Sequence, residues 1–326
     1  MPPRAVRFSR QTGKIMHHRP IVSLTFAVLL LVSMSNCTLK DTSITLASHS
    51  QIQTGQSWQT IQSGNRERFF LAYIPTTYDD SDPVPLVLNF HGSRSNPFAQ
   101  MAYSNLTPLA EEEGFIVAFP FGEYGKERGV HSWNADKDPA GVDDVQFSRD
   151  IVADLEKRLS IDRKRIYVTG FSGGARMASR LACDLDKTVA AVAPVAGVQY
   201  PLDCQASRAV PLIVFHGKQD LVNTYVHTSL SRDYWRTGVE ESLDGWVQKN
   251  GCNNVTETTP ISKVVTRIAW EDCRDESEII FYSIENGGHT WPGSPIVMTQ
   301  PWSGETNQDI VAVQLIWDFF KDHPLP

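Results

Sequence analysis

The sequence contains no CxxC pair and no HExxH, so none of the common zinc-ligand spacings is present, and no metal or other cofactor is expected. It has no surplus of positive charge. Lys and Arg number 30 against 37 Asp and Glu, a formal net charge of −7, which excludes the basic face that a nucleic-acid partner demands. There is no internal repeat and no low-complexity tract. Nor is there an apolar run of about twenty residues, the length a membrane span needs. Cysteine is scarce, with five in 326 residues. What remains is a chain that is 41% hydrophobic and 21% charged, composed like a globular protein and long enough for one sizeable core.

The first twenty residues carry Arg4, Arg7, Arg10, Lys14 and Arg19 and no acid, and Ile21–Met34 is then almost wholly apolar. A cationic stretch before a short apolar run fits a secretory signal better than an anchor, with Met16 as an alternative start. Export to the periplasm or the outside is therefore expected. Cys37 follows the run as a lipid-modified cysteine follows a lipoprotein signal, although Asn36 stands where Gly, Ala or Ser is usual. The readings of residues 1–37 are thus a cleaved signal, a lipid tether through Cys37, or an uncleaved anchor. Residues 38–60 are polar and read as an irregular lead-in, and 61–326 as one catalytic domain. The four other cysteines, Cys183, Cys204, Cys252 and Cys273, suggest disulfides in an exported chain. Of three connectivities the near-in-sequence one, Cys183–Cys204 and Cys252–Cys273, is expected. Each bridge would close a loop of about twenty residues and contribute roughly 3 kcal/mol in the chain-entropy model.

Apolar strand-like runs alternate with helical ones. Strands are expected at 68–75, 86–90, 115–120, 165–171, 190–195, 211–216 and 278–284, and helices at 106–113, 145–159, 174–185 and 308–321. Continuous apolar strands between helices predict an α/β fold with a mostly parallel sheet covered on both faces. Ligands then bind beyond the carboxyl ends of the strands, and polar residues do cluster there.

Arg165–Gly174 reads RIYVTGFSGG, a strand entering Gly170-x-Ser172-x-Gly174, the pattern of a nucleophile elbow. A serine hydroxyl needs a base, and the base needs an orienting acid. On this fold the order is Ser, acid, His. Asp220 follows the strand ending at His216, and His289 follows the strand ending at Ile284, within NGGHTWPG. Ser172, Asp220 and His289 are the candidate triad, with Asp244, Asp272 and Asp275 as competing acids. The glycines beside His289 suggest a flexible loop that carries it to the serine. His91 and His216 read as loop-positioning residues. A developing oxyanion needs two donors, and the backbone N–H groups of Gly173 and Ser93 are the candidates. The long polar loop 121–143 suggests a binding function. Trp133, Asn134 and Trp291 are candidate substrate-binding residues, although either Trp reads equally well as core. Asp143-Asp144 reads as helix N-capping.

Together these motifs resemble the secreted serine esterases that include feruloyl esterases, acetylxylan esterases and poly(3-hydroxybutyrate) depolymerases. The resemblance runs from about residue 66 to 321. Its motifs are His91-Gly92, Trp133-Asn134, Val142-Asp143-Asp144-Val145-x-Phe147, Ile161-Asp162, the elbow itself, Ala193-Pro194-Val195-Ala196-Gly197, Phe215-His216-Gly217-x-x-Asp220, Asn250-Gly251-Cys252 and Gly288-His289-Thr290-Trp291-Pro292-Gly293. The resemblance implies an α/β-hydrolase fold and a carboxylic-ester hydrolase working through an acyl-enzyme. Acyl transfer on the same fold, or a non-catalytic surface binder on a hydrolase scaffold, are the alternatives. Asp136-Lys137-Asp138-Pro139 and Leu221 to Tyr225 depart from the family's pattern at the cleft, which bears on the ester rather than on the chemistry.

Overall fold

The apolar runs form the middle of one sheet. The computed structural model describes residues 53–125, 129–253 and 257–326, so the apolar leader and Cys37 lie outside the described residues. Among the described residues there are ten strands: β1 (Gly55–Ser63), β2 (Arg66–Ile74), β3 (Val84–Phe90), β4 (Ile116–Pro120), β5 (Ile161–Phe171), β6 (Val192–Val195), β7 (Leu212–Gly217), β8 (Glu257–Pro260), β9 (Val265–Trp270) and β10 (Ile279–Ile284). The helices are α1 (Pro97–Ser104), α2 (Leu106–Glu113), α3 (Asp144–Arg158), α4 (Gly173–Asp184), α5 (Val239–Asn250) and α6 (Ala312–Asp322). The sheet order is β1-β2-β4-β3-β5-β6-β7-β10-β9-β8. Strands β4, β3, β5, β6, β7 and β10 run parallel, while β1 and β2 on one side and β9 and β8 on the other are antiparallel. This is the α/β-hydrolase architecture.

Side-chain alternation along each strand separates the core into two layers. Leu86, Leu88 and Phe90 of β3 join Phe147 and Ile151 of α3, Met177 and Leu181 of α4 and Trp246 of α5. Val87, one residue out of phase, joins Tyr103 of α1, Leu109 of α2 and Trp317 and Phe320 of α6 on the other face. Each such fully buried side chain contributes about 1.5–3 kcal/mol, which is why the buried stretches of the parallel strands are mostly apolar. Strand β1 begins inside the segment read as an irregular lead-in. It alternates exposed residues with half-buried ones, and only Ile61 and Ser63 at its end are buried, so it presents no apolar run to a reader of the sequence.

The cysteines pair as Cys183–Cys204 and Cys252–Cys273. The first bridge fastens the end of α4 to the loop after β6, beside an ionic cluster in which Asp203 bonds both Lys137 at 2.9 Å and Arg180 at 2.7 Å. Among the described residues no helix is long and apolar enough to cross a membrane.

Candidate active site

Strand β5 ends at Phe171 and α4 begins at Gly173, leaving Ser172 alone in the turn with φ 56° and ψ −113°. A residue with a Cβ at positive φ is strained by about 1–3 kcal/mol and persists only where the surroundings impose it. Here they do. The turn is so tight that a Cβ at Gly170 would collide with the Gly174 carbonyl, and one at Gly174 with the Phe90 carbonyl. The Ser172 N–H donates to the Val195 carbonyl at 2.9 Å, fixing the turn against β6. The hydroxyl is thereby held above the carboxyl ends of the parallel strands.

His289 stands between Ser172 and Asp220. Its Nδ1 lies 2.7 Å from Asp220 Oδ2 and its Nε2 2.8 Å from Ser172 Oγ. Since a carboxylate only accepts, Nδ1 carries the proton and Nε2 is free to accept from the hydroxyl. The other Asp220 oxygen accepts the N–H groups of Val222 and Asn223, each at 2.8 Å. His216 Nε2 faces the Asn223 carbonyl at 2.8 Å and Asp220 Oδ2 at 3.3 Å, so this nitrogen carries a proton and steadies the acid. Burial alone would raise the Asp220 pKa. The fields and hydrogen bonds of His289 and His216 outweigh it and hold this carboxyl well below the ordinary carboxylate range.

The loop bearing His289 is pinned. Gly288 N–H donates to the Glu305 carbonyl at 3.0 Å, Thr290 Oγ1 donates to the same carbonyl at 2.9 Å, and Trp291 N–H donates to the Tyr103 hydroxyl at 2.8 Å. The expectation of a flexible glycine loop is therefore corrected. Gly287 and Gly288 serve close backbone contact, because a Cβ on either would strike Ile284 or the Ser303–Gly304 backbone.

Ser93 and Gly173 come together across the elbow: a Cβ placed on Gly173 would sit 3.1 Å from the Ser93 nitrogen. Gly173 N–H is one of the unpaired amides of a helix start. Ser93 N–H meets no acceptor among the described residues, and its hydroxyl bonds Ser132 at 2.7 Å. The loop holding Ser93 is fixed by His91, whose Nδ1–H donates to the Gly92 carbonyl at 2.7 Å and whose Nε2 accepts Gly122 N–H at 3.0 Å. Burial is the main cause that brings the His91 pKa down from 6.5 to about 4, against the Gly92 carbonyl and helped by His131. Above pH 6.5 this imidazole is neutral folded or unfolded. Below it the unfolded chain takes up a proton that the folded protein refuses until about pH 4. Stability is therefore lost as pH falls through that window, by about 3 kcal/mol from this group. Urea unfolding at pH 7 and pH 4 should register that loss, and His91→Gln should flatten the pH slope by the same amount. An unchanged slope would remove His91 from the account.

Ser172 and His289 line a cleft of about 990 Å³ together with Ser93, Tyr103, Trp133, Asn134, Arg176, Leu221 and Trp302, among others. Two of the three substrate-binding candidates reach it. Trp133 is 3% exposed, and its indole N–H donates to the His91 carbonyl at 2.7 Å. Asn134 spends its side chain on the Asp138 and Val142 carbonyls and the Asp138 N–H. Both shape the polar loop. Trp291 is corrected: it is 1% exposed and packs in the apolar layer beneath the sheet's helices, away from the cleft lining. The tryptophan beside the histidine is Trp302, 45% exposed, with ring centroids 6.3 Å apart. It lies in an irregular segment with no periodicity, so only its proximity in space identifies it. Asp143 caps α3 through Gln146 N–H at 2.9 Å, as read. Asp144 does not cap. It is buried, bonds Arg68 at 2.8 Å and accepts Asn134 N–H at 2.7 Å, tying the polar loop to β2.

The chain is 28% identical over 270 residues to a feruloyl esterase B of Piromyces equi, covering 79% of this chain and 46% of that protein. It is 31% identical over 171 residues to a bifunctional acetylxylan esterase/xylanase of Neocallimastix patriciarum, covering 51% and 24%. This chain thus spans less than half the length of those two relatives. A feruloyl esterase D of Neurospora crassa matches at 25% over 310 residues, 91% of this chain and 96% of that one. Among solved structures an acetyl xylan esterase from Aspergillus awamori superposes with a TM-score of 0.55 at 18% identity, over 72% of this chain and 94% of that one, which supports the fold. A family model described as esterase PHB depolymerase matches residues 70–258, the stretch that holds Ser93, Ser172 and Asp220, and the chain belongs to that esterase family.

Proposed function

We propose that the protein is an exported serine carboxylesterase in which Ser172 is the nucleophile, His289 the general base and then acid, and Asp220 the orienting carboxylate. One catalytic domain over residues 61–326 carries the reaction. The observation that supports it most is the unbroken chain from Ser172 Oγ through His289 to Asp220, at 2.8 and 2.7 Å. Ser172 Oγ attacks the ester carbonyl while His289 Nε2 takes its proton. Negative charge gathers on the carbonyl oxygen, where the Ser93 and Gly173 N–H groups meet it. The intermediate collapses, the C–O bond to the alcohol breaks, and the imidazolium returns the proton to the leaving oxygen. Water then repeats the sequence on the acyl-enzyme and releases the acid.

Esters linked to polysaccharide, feruloyl or acetyl, are favoured over a polyester as substrates, because the relatives sharing most of this chain carry feruloyl esterase names. The cationic leader and two disulfides support export. Labelling with an uncharged fluorophosphonate followed by peptide mapping should modify Ser172. Feruloyl and acetyl esters should turn over faster than a 3-hydroxybutyrate ester. Labelling at another residue, or none, overturns the assignment.

A further inference from the structure

The chain is acidic, yet its cleft is not. The charged side chains among the described lining residues, His289 aside, are Arg94, Arg176 and Arg232 against the single acid Asp136. Asp136 is already paired, with Arg236 at 3.2 Å. None of the three arginines forms an ion pair among the described residues. Arg94 and Arg232 are exposed at the rim, where solvent satisfies them.

Arg176 is different. It lies on the first turn of α4, four residues after Ser172, its N–H donating to the Ser172 carbonyl at 3.1 Å, and both residues line the cleft. Its guanidinium stacks over the Tyr234 ring at 4.3 Å. Its Nε is buried without a hydrogen-bond partner. A buried guanidinium donor without an acceptor is costly unless an acceptor arrives. Burial lowers the Arg176 pKa, with Tyr234 and Asp136 opposing, yet an arginine so placed stays charged. Arg68 Nε also lacks a hydrogen bond, but Arg68 and Arg180 each hold an acid, Asp144 and Asp203, whereas Arg176 holds none among the described residues. Arg176 lines the same cleft as the Ser172 hydroxyl.

We infer that Arg176 is a specificity-determining residue that binds a carboxylate carried by the ester substrate, close to the scissile bond, with Arg94 and Arg232 drawing that anion into the cleft. The inference rests on the hydrolase reading above and narrows it to esters bearing an acid group. A planar guanidinium matches a carboxylate in two parallel hydrogen bonds, which a neutral isostere cannot supply.

The test compares matched esters. On the acyl side, 4-nitrophenyl hydrogen adipate is set against its terminal amide. On the alcohol side, 4-acetoxybenzoate is set against 4-acetoxybenzamide. The wild-type kcat/KM should favour the carboxylate by about 10- to 100-fold in one arm, the factor carried by one charge-assisted hydrogen bond, and that arm identifies which half of the ester holds the acid. Arg176→Met should bring the ratio to about one, and Arg176→Lys should keep part of it. Raising salt should shrink the ratio in the wild type through screening of the rim arginines. The ratio compares two esters on the same protein, so a mere loss of folded enzyme does not move it. Ratios near one in both wild-type arms, with Ser172 still labelled by the uncharged fluorophosphonate, overturn the subsite and leave the hydrolase standing. A preference that survives in both Arg176 variants overturns the assignment to Arg176. Absence of both labelling and turnover overturns the two readings together.

Discussion

Ser172→Ala should reduce ester hydrolysis by about 10⁶-fold, the loss seen when a triad nucleophile is removed, and should abolish fluorophosphonate labelling. The substitution is a clean probe because alanine keeps the Cβ. The positive φ of 56° strains Ala as it strains Ser, so the elbow's conformational cost is unchanged and only Oγ is lost. The Ser172 N–H bond to Val195 and the Ser172 carbonyl bond to Arg176 N–H are both backbone interactions and remain. Unfolding free energy should therefore stay within about 0.5 kcal/mol of wild type, as for substitutions that leave packing and capping untouched. Ser172→Gly supplies the contrast. It removes the Cβ from a left-handed position, so it should be equally inactive and more stable by about 1 kcal/mol, part of the strain that position stores. Turnover in the alanine variant above one per cent of wild type would mean that another group attacks the ester.

The strained serine was legible in the sequence because an elbow needs glycines on either side of it, and steric demands of that kind leave a pattern. The parallel strands were legible for a related reason. Buried on both faces, β3, β7, β10 and the Ile166–Phe171 half of β5 are mostly apolar. The edge strands β1 and β8, and β9 beside β8, escaped notice because they are part-exposed rather than apolar runs; Glu257–Pro260 of β8 is almost entirely exposed. Helix α5 did carry a signal in Val239, Leu243 and Trp246, but Gly245 interrupts it, at a point where a Cβ would strike the Tyr200 ring. Within the site, the residues we propose to act through backbone position or chain order left a pattern in the sequence, as with Ser93, Asp220 and His289. Residues that act through three-dimensional proximity did not. Trp291 neighbours His289 in sequence and turns inward, held by its N–H bond to Tyr103. Trp302, thirteen residues beyond His289, returns to its side. Arg176 had a signal available, a charge four residues past the nucleophile on a helix otherwise nearly buried, but its lack of a partner is visible only in space.

Asp220→Asn should lower kcat by about 10⁴-fold while leaving KM within a few-fold, since Asp220 does not line the cleft. The reason lies in which oxygen does what. Oδ1 accepts two backbone N–H groups, from Val222 and Asn223. An asparagine must keep an oxygen there, because its amide nitrogen would face two donors. The nitrogen then occupies the Oδ2 position and presents N–H groups to His289 Nδ1 and to His216 Nε2. Facing a donor, His289 turns to the tautomer with Nδ1 bare and the proton on Nε2. That nitrogen can no longer accept from Ser172 Oγ, so the hydroxyl loses its base although every heavy atom stays near its place. His216 meets the same conflict and falls back on the Asn223 carbonyl alone. The fluorophosphonate labelling rate should fall in parallel with kcat, because labelling uses the same proton transfer. Activity within tenfold of wild type would show that Asp220 does not set the His289 tautomer. Asp244, Asp272 and Asp275 would then have to be tried in turn, although none of them forms a hydrogen bond with His289 in the fold as it stands.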